Sequence, residues 1–594
     1  MKRVIILPLI LISLTLFASP IGERRAREIA KSFFVSNATT RGASTVSLDL
    51  VWTGGDSTSG EKVSISRTAD GGKASEDALI YVYNSSDIGG FVVVAGDDNV
   101  KHPIIAFSYD NSFDAKDMAD GAKGILLSWC EQIKVARLSK SKISHTTTRN
   151  DTSVGEVLCK YETASWGQSD PFNLHSPEYD GVKTAAGCVA TAMAILCYYH
   201  KWPNNGVGIT PEYTFKDSYD IERTIPANEL GRTYDYSNML SKYLGVNYTE
   251  SQARAVADLM YDLGTSVEMK YKQSGSSAYS KAGTKSMMEY FGYSKGAIQV
   301  SYNGYTHEEW VAILQNNLKE YGPTRFSGSS DSGSHAFILD GCTDAGYFSI
   351  NYGWNGGYNG YYLLPDIEYY KSQAAELYLV PDRDGTSTYR EYLTLRKGSY
   401  KGIVTNATEY VVGKKFKCCL SMRNDGIVDF DGTICVFQCN KHGERKQSVY
   451  TSNRSFKASN NPSIWSFYYS SATIKDPIEE GDRLRVFYKN KNSTEWIRAE
   501  RGTTTVYSEV LLCATPEEVA ESLKLSYDKT TSTLTFTSIH AIQYSVKDEA
   551  GLELLSAKVP SFETTNIDFS DYKEGKYQIS FASGGDPYIL NIQL

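Results

Sequence analysis

Cys188 opens the run Gly187-Cys188-Val189-Ala190-Thr191-Ala192-Met193-Ala194-Ile195-Leu196-Cys197-Tyr198-Tyr199-His200, in which Val189, Ala192, Met193 and Leu196 recur at helical spacing. The pattern predicts a helix that starts at the cysteine, turns one apolar stripe to a core and stops before Pro203. A thiol in a first turn lies beside unpaired backbone N–H groups and the positive end of the helix dipole, which favour its anion. The magnitudes demand more. A free thiol titrates near ~8.5 and a thiolate paired with an imidazolium near ~4, a gap of roughly 6 kcal/mol. A helix terminus supplies at most ~2 kcal/mol. A cation must supply the remainder.

Eight histidines are available. His335 stands in Gly333-Ser334-His335-Ala336-Phe337-Ile338-Leu339-Asp340-Gly341, a short apolar run closed by Asp-Gly, and Tyr347-Phe348-Ser349-Ile350-Asn351 follows. The two runs predict a hairpin with His335 entering its first strand and Asn351 ending its second. His335 follows Cys188 by 147 positions, within the roughly 130–150 that separate nucleophile and base in one class of thiol hydrolases. An imidazolium there supplies the missing cation, and the Asn351 amide would accept the other ring N–H and fix the ring. His200 lies twelve residues along the same helix, about 18 Å away, and so cannot serve as the base. Cys197 reads as a buried helix cysteine.

The surrounding residues extend the pattern. They include Tyr199-His200-Lys201-Trp202-Pro203, Gln168-Ser169-Asp170-Pro171-Phe172-Asn173, Tyr234-Asp235-Tyr236-Ser237-Asn238-Met239-Leu240, Asp262-Leu263-Gly264-Thr265-Ser266-Val267-Glu268-Met269, and Asn351-Tyr352-Gly353-Trp354 through Gly360-Tyr361-Tyr362. Over about 150–382 this ordered set resembles the streptopain family of papain-like cysteine peptidases. The resemblance implies a secreted endopeptidase made as a zymogen, with Cys188 as nucleophile and His335 as base. It makes Gln168 the side-chain donor that joins the Cys188 backbone N–H in an oxyanion hole, and it sets Ser277 and Ser334 against the substrate backbone. Trp354 is expected to pack over the His335–Asn351 edge beside the substrate. The chain departs from the family in carrying Tyr352 where a tryptophan often follows the asparagine, and in an extra Asn355 before Gly356-Gly357.

A chain of 594 residues implies several domains. Its net charge of −8 gives no electrostatic footprint for nucleic acid. Met1-Lys2-Arg3, the apolar run Val4 to Phe17 and the small residues Ala18-Ser19 read as a signal peptide over 1–19, and no later segment is apolar for long enough to span a bilayer. A secreted or cell-surface location follows. Ten cysteines but no CxxC argue against a structural metal. Cys418, Cys419, Cys435, Cys439 and Cys513 leave room for one disulfide whose pairing sequence cannot fix. No cofactor is required.

The predicted fold class is α+β. A small α+β prodomain of its own, an inhibitory propeptide over 20–149, has helices over Arg24–Phe34 and Gly121–Val135 and strands over Ala78–Tyr83, Gly90–Ala95 and Ile104–Tyr109. The polar stretch 137–150 reads as an exposed linker open to cleavage. A papain-like catalytic domain covers 150–385. An immunoglobulin-like β-sandwich over 386–513 carries runs at Tyr410–Val412, Lys415–Met422, Thr433–Gln438 and Arg483–Tyr488. A C-terminal β module over 514–594 resembles tails that serve export or surface attachment.

The chemistry expected is attack of the Cys188 thiolate on a peptide carbonyl, protonation of the leaving amine by His335, and hydrolysis of the thioester. The partners are protein or peptide substrates and the chain's own propeptide. The C-terminal module adds a contact with the cell surface or export machinery. Two rival readings remain at this level: a papain-fold amidase or transglutaminase, and a surface adhesin whose papain-like module is scaffolding.

Overall fold

Helical spacing of Ala26, Ile29, Ala30, Phe33 and Phe34 builds the first helix, α1 (Glu23–Asn37), with these five side chains buried. The computed structural model describes residues 20–37, 46–55, 65–66, 78–138 and 152–593, except 99, 117, 119, 331–332, 367–369, 408, 459–462, 504, 529, 539 and 560–562. The expected signal peptide and nearly all of the expected linker lie outside the described residues.

After α1 come β1 (Leu48–Gly54), β2 (Ile65–Ser66), β3 (Ile80–Ser85), β4 (Phe91–Ala95), β5 (Ile104–Ser108) and α2 (Asp120–Leu138). Every residue of β4 and β5 is buried. Arg137 belongs to α2 rather than to a linker. Its guanidinium pairs with Asp97 at 2.7 Å and donates to the carbonyls of Gly96 and Ala78, which ties the end of the helix to the strands.

The catalytic-region elements are β6 (Val157–Lys160), α3 (Cys188–His200), α4 (Glu250–Ser266), α5 (Ser280–Tyr290), β7 (Ile298–Ser301), β8 (Thr324–Ser330), β9 (Gly333–Thr343), β10 (Tyr347–Asn351), β11 (Gly360–Leu363) and β12 (Lys371–Leu377). One twelve-stranded sheet runs β7-β12-β8-β9-β10-β11-β5-β4-β3-β1-β2, with β6 added alongside β9. The prosegment is a small α+β unit, as expected, and it joins this sheet. Its sheet continues the catalytic one where Tyr361 pairs with Phe107 and Tyr362 with Ala106. Gly360 permits this seam, since a Cβ there would lie 2.5 Å from the Phe107 carbonyl oxygen. The Phe107 and Tyr361 rings stack at 5.1 Å across it.

The β9–β10 hairpin forms as predicted, with one difference. Asp340-Gly341 does not close the first strand, which continues through an irregularity between Leu339 and Gly341 to Thr343. Gly341 keeps the strand going because β6 crosses close beside it, and the turn falls at Asp344-Ala345-Gly346. Helix α3 is buried on every side from Val189 to Cys197, not along one stripe. It packs against β9, β8, α4 and α5 together, which explains its run of alanines: small side chains let four neighbours close in.

The second compact unit comprises residues 301–310 and 387–594. Two five-stranded sheets enclose one core, which includes Leu395, Ile434, Val436, Leu484 and Val486. Sheets of three and four strands enclose another around Phe536, Ile542, Val546, Ile579 and Phe581. Tyr410–Val412 is not a strand: it leads into a turn at Val412-Gly413, where Gly413 at positive φ bonds the Ile474 carbonyl. A helix at Pro516–Ser522 that sequence reasoning passed over is capped by Thr515 and Glu518 in a reciprocal box. No helix of the described residues is long and apolar enough to cross a membrane.

Candidate active site

Gly187 sets the start of α3. Its φ of +92° lies in the region L side chains avoid, and a Cβ there would sit 2.6 Å from the Met269 sulfur. The Gly187 carbonyl accepts the Thr191 N–H at 3.0 Å, so regular helix begins at Cys188. Burial pushes the Cys188 thiol upward. A hydrogen bond to His335, the charge of that ring, the Ala336 backbone N–H and the Arg325 guanidinium together outweigh burial and hold it below the usual thiol range.

His335 is the third residue of β9 and is 6% exposed. Its Nε2 lies 2.8 Å from the Tyr352 carbonyl oxygen. A carbonyl only accepts, so Nε2 carries a hydrogen and Nδ1 is the nitrogen left for the thiol. The group orienting the ring is thus a backbone carbonyl and not the predicted Asn351 amide. The Asn351 Nδ2 donates instead to Thr163 Oγ1 at 2.9 Å and to the Ala164 carbonyl at 2.8 Å, while its Oδ1 accepts from the Gly353 N–H at 3.1 Å. Asn351 is the last residue of β10, and these bonds fix the turn that presents the Tyr352 carbonyl. The side chain serves the loop, and the loop serves the ring.

Gln168 is joined to the segment before α3 by its carbonyl, which accepts the Ala186 N–H at 2.9 Å. The same loop is held from the other side, where the Asn355 N–H donates to the Trp166 carbonyl at 2.8 Å. The residue extra to the family pattern therefore has a structural task. A Cβ on Gly167 would lie 2.6 Å from the Asn355 amide, so a larger residue would push this loop out of place. Trp354 is half-buried with its ring 6.4 Å from that of His335. Ser277 is exposed on a turn whose backbone pairs with Lys270 in both directions, and neighbouring Ser276 donates to the Ala185 carbonyl at 2.7 Å. Ser334 is exposed beside His335 and pairs in register with Ser329.

Other participants escaped sequence reasoning. The Tyr352 carbonyl and Ala336 N–H are backbone groups, which no residue type announces. Arg325 and Glu376 form an ion pair, each side chain 1% exposed, and the Arg325 Nη2 also reaches the Ser280 carbonyl at 2.6 Å. Gly121, at the start of α2, presses its backbone on the site: a Cβ there would lie 2.6 Å from His335 Cδ2 and 2.8 Å from the Tyr352 ring. Ile125, Leu126 and Ile133 hold this helix down, all fully buried, each contributing about 1.5–3 kcal/mol. The Trp129 Nε1 donates to the Leu363 carbonyl at 2.9 Å.

Known proteins resemble two stretches of the chain. Residues 166–362 match the profile of the peptidase C10 family, and residues 18–133 match that of the Spi protease inhibitor. Streptopain of Streptococcus pyogenes is 31% identical over 325 residues, a match covering 52% of this chain and 78% of the relative. The thiol protease/hemagglutinin PrtT of Porphyromonas gingivalis is 29% identical over 379 residues, covering 61% of this chain. This chain spans only 41% of PrtT's length. Among solved structures, the prointerpain A fragment of Prevotella intermedia is 29% identical and covers 52% of this chain and 96% of that one, with a TM-score of 0.42.

Proposed function

The chain belongs to the peptidase C10 family, a cysteine peptidase preceded by an inhibitor-type propeptide, and on that premise we propose that it is exported as a zymogen and cleaves peptide bonds within proteins. Cys188 is the nucleophile and His335 the proton carrier. The thiolate attacks the carbonyl carbon, and the oxyanion is met by the Cys188 backbone N–H and the Gln168 side-chain amide. The His335 imidazolium then protonates the leaving amine, after which the neutral ring takes a proton from the water that hydrolyses the thioester. Asn351 positions the Tyr352 carbonyl. Trp354, Ser277 and Ser334 border the bound peptide.

The observation that carries this reading is the thiol of Cys188 hydrogen-bonded to His335 and acidified despite burial. The propeptide covers 20–149, the catalytic domain 150–385, the sandwich 386–513 and the last β module 514–594, whose role is surface or export contact. Inhibition follows from Gly121 and the first turn of α2 resting on the base, and activation from cleavage between residues 137 and 160. In the test, a Cys188→Ala precursor is incubated with active enzyme and then mapped by mass spectrometry, alongside digestion of an unfolded protein. Cleavage in that interval and release of internal peptides are expected. Deamidation or acyl transfer without peptide release would favour the amidase or transglutaminase reading. An intact precursor would remove the self-processing step.

A further inference from the structure

Strand β6 is the first strand after the polar stretch 137–150, and the inference rests on the propeptide being cut within that stretch; β6 is held to the sheet along one side, by β9. Three pairs connect them: Gly341 with Lys160, Cys342 with Cys159, and Thr343 with Val157. Cys159 and Cys342 are direct cross-strand partners, and their sulfurs stand 3.6 Å apart. Directly opposed antiparallel residues have Cα atoms about 4.5–5.5 Å apart, inside the roughly 4.4–6.8 Å that a disulfide bridges. We propose that Cys159 and Cys342 are an oxidation site whose disulfide staples β6 to the strand that carries His335.

The surroundings favour closure. A Cβ on Gly341 would lie 2.7 Å from the Cys159 carbonyl oxygen, so glycine allows the strands to approach here. The next residues clamp the register: Lys160 pairs with Asp340 at 3.2 Å, and the Tyr161 N–H donates to the Asp340 carbonyl at 2.7 Å. Rotation of two side chains is the movement required. Cys342 is fully buried, whereas Cys159 is partly exposed, which sets the order of events. The two thiols share a hydrogen bond in which either sulfur can donate, and with Cys342 donating the Cys159 thiol is lowered to about 7 although burial opposes the shift. Cys159 is therefore the attacking group.

The oxidant is a disulfide donor, a low-molecular-weight disulfide or a disulfide-exchange protein, of the class met outside the cytoplasm. The Cys159 thiolate displaces one thiolate from the donor and forms a mixed disulfide. Cys342 then gives its proton to solvent and attacks the Cys159 sulfur, releasing the second donor thiol. Two protein thiols are oxidised and one donor disulfide is reduced. The resulting ring joins positions 183 apart and encloses Cys188. After propeptide release a strand with three pairs at a new chain end is prone to fray, and Val157 and Leu158 are already 58% and 41% exposed. The staple keeps that fraying from reaching the strand that holds the base.

The test uses the full chain with Cys188→Ala, which removes self-digestion and competing chemistry at the catalytic thiol. Oxidised glutathione is added at mildly alkaline pH, and the protein is denatured, alkylated and mapped. Loss of two hydrogens and a cross-linked peptide containing Cys159 and Cys342 are expected, together with an unfolding midpoint several degrees above that of the reduced protein. Adding Cys342→Ala should leave glutathione trapped on Cys159, and adding Cys159→Ser should erase the difference in midpoint. Full alkylation of both cysteines, or glutathione persisting on Cys159 while Cys342 is present, overturns the site. A cross-link with an unchanged midpoint overturns the staple.

Discussion

The two ends of α3 carry the same pair of residue types and reach opposite outcomes. At the N-terminal end Cys188 meets His335, and the thiol is acidified. At the C-terminal end Cys197 has His200 three residues away, yet burial drives that thiol up to about 12, with a hydrogen bond to Tyr293 opposing only in part. His200 is itself held down to about 4 by burial and by the nearby Arg383 charge, so at neutral pH it offers no cation. Its Nδ1 is engaged with the Tyr293 hydroxyl at 3.0 Å. The helix field adds to the contrast, since it favours an anion at its first turn and disfavours one at its last. A cysteine and a histidine become an ion pair only where the fold gives the ring a carbonyl to donate to and the sulfur donors to accept from.

The largest expected effect breaks the comparison outright. Cys188→Ala should lower kcat/KM by about 10⁴-fold or more, while Cys197→Ala leaves it within about twofold, measured on one peptide substrate. His335→Gln should cost about 10³–10⁴-fold and raise the alkylation midpoint of Cys188 out of its lowered range, because burial is then left largely unopposed. His200→Gln should leave that titration where it was. The sign follows from linkage: a thiol with a lowered pKa stays thiolate below the ordinary range and loses that form only as pH falls through the lowered value. Iodoacetamide should therefore modify Cys188 at pH values where Cys197 is inert. Gln168→Ala should reduce kcat by about 10²–10³-fold with KM little changed, as for one lost oxyanion donor.

The smallest effect concerns the C-terminal end alone. Free imidazole titrates near ~6.5 and native His200 near 4. Between those values the unfolded chain binds a proton that the native chain refuses. The contribution of His200 is then complete above ~6.5 and is lost as pH falls toward 4, by about 3 kcal/mol in all. Denaturant unfolding across this range should show the loss, and His200→Gln should flatten it.

Reading from sequence reached the elements whose signals are local. The period of α3 and the hairpin that bears His335 were legible because side-chain spacing reports them directly. The strands Lys415–Asn424, Phe430–Cys439 and Arg483–Asn490 were found for the same reason. The longest strand of the sandwich, Arg445–Phe456, was passed over because its polar, exposed face breaks the apolar alternation. The Pro516–Ser522 helix could have been found, since Thr515-Pro516-Glu517-Glu518 is a capping signature. The Cys159–Cys342 approach could not, because cross-strand pairing joins positions that nothing in the sequence marks as neighbours.

By itself the sequence marked the candidate atoms, a sulfur at a helix start and an imidazole at a strand start, and the ordered residues around them carried the resemblance that implies the reaction. Tertiary structure alone decided what orients the ring, since the Tyr352 carbonyl is a group every residue owns and only the loop fixed by Asn351 aims it. It also decided that the prosegment continues the catalytic sheet. Hydrogen bonds between strands are made by the backbone, whose donors and acceptors are alike at nearly every position, so their partners are chosen by the fold and not written in side chains.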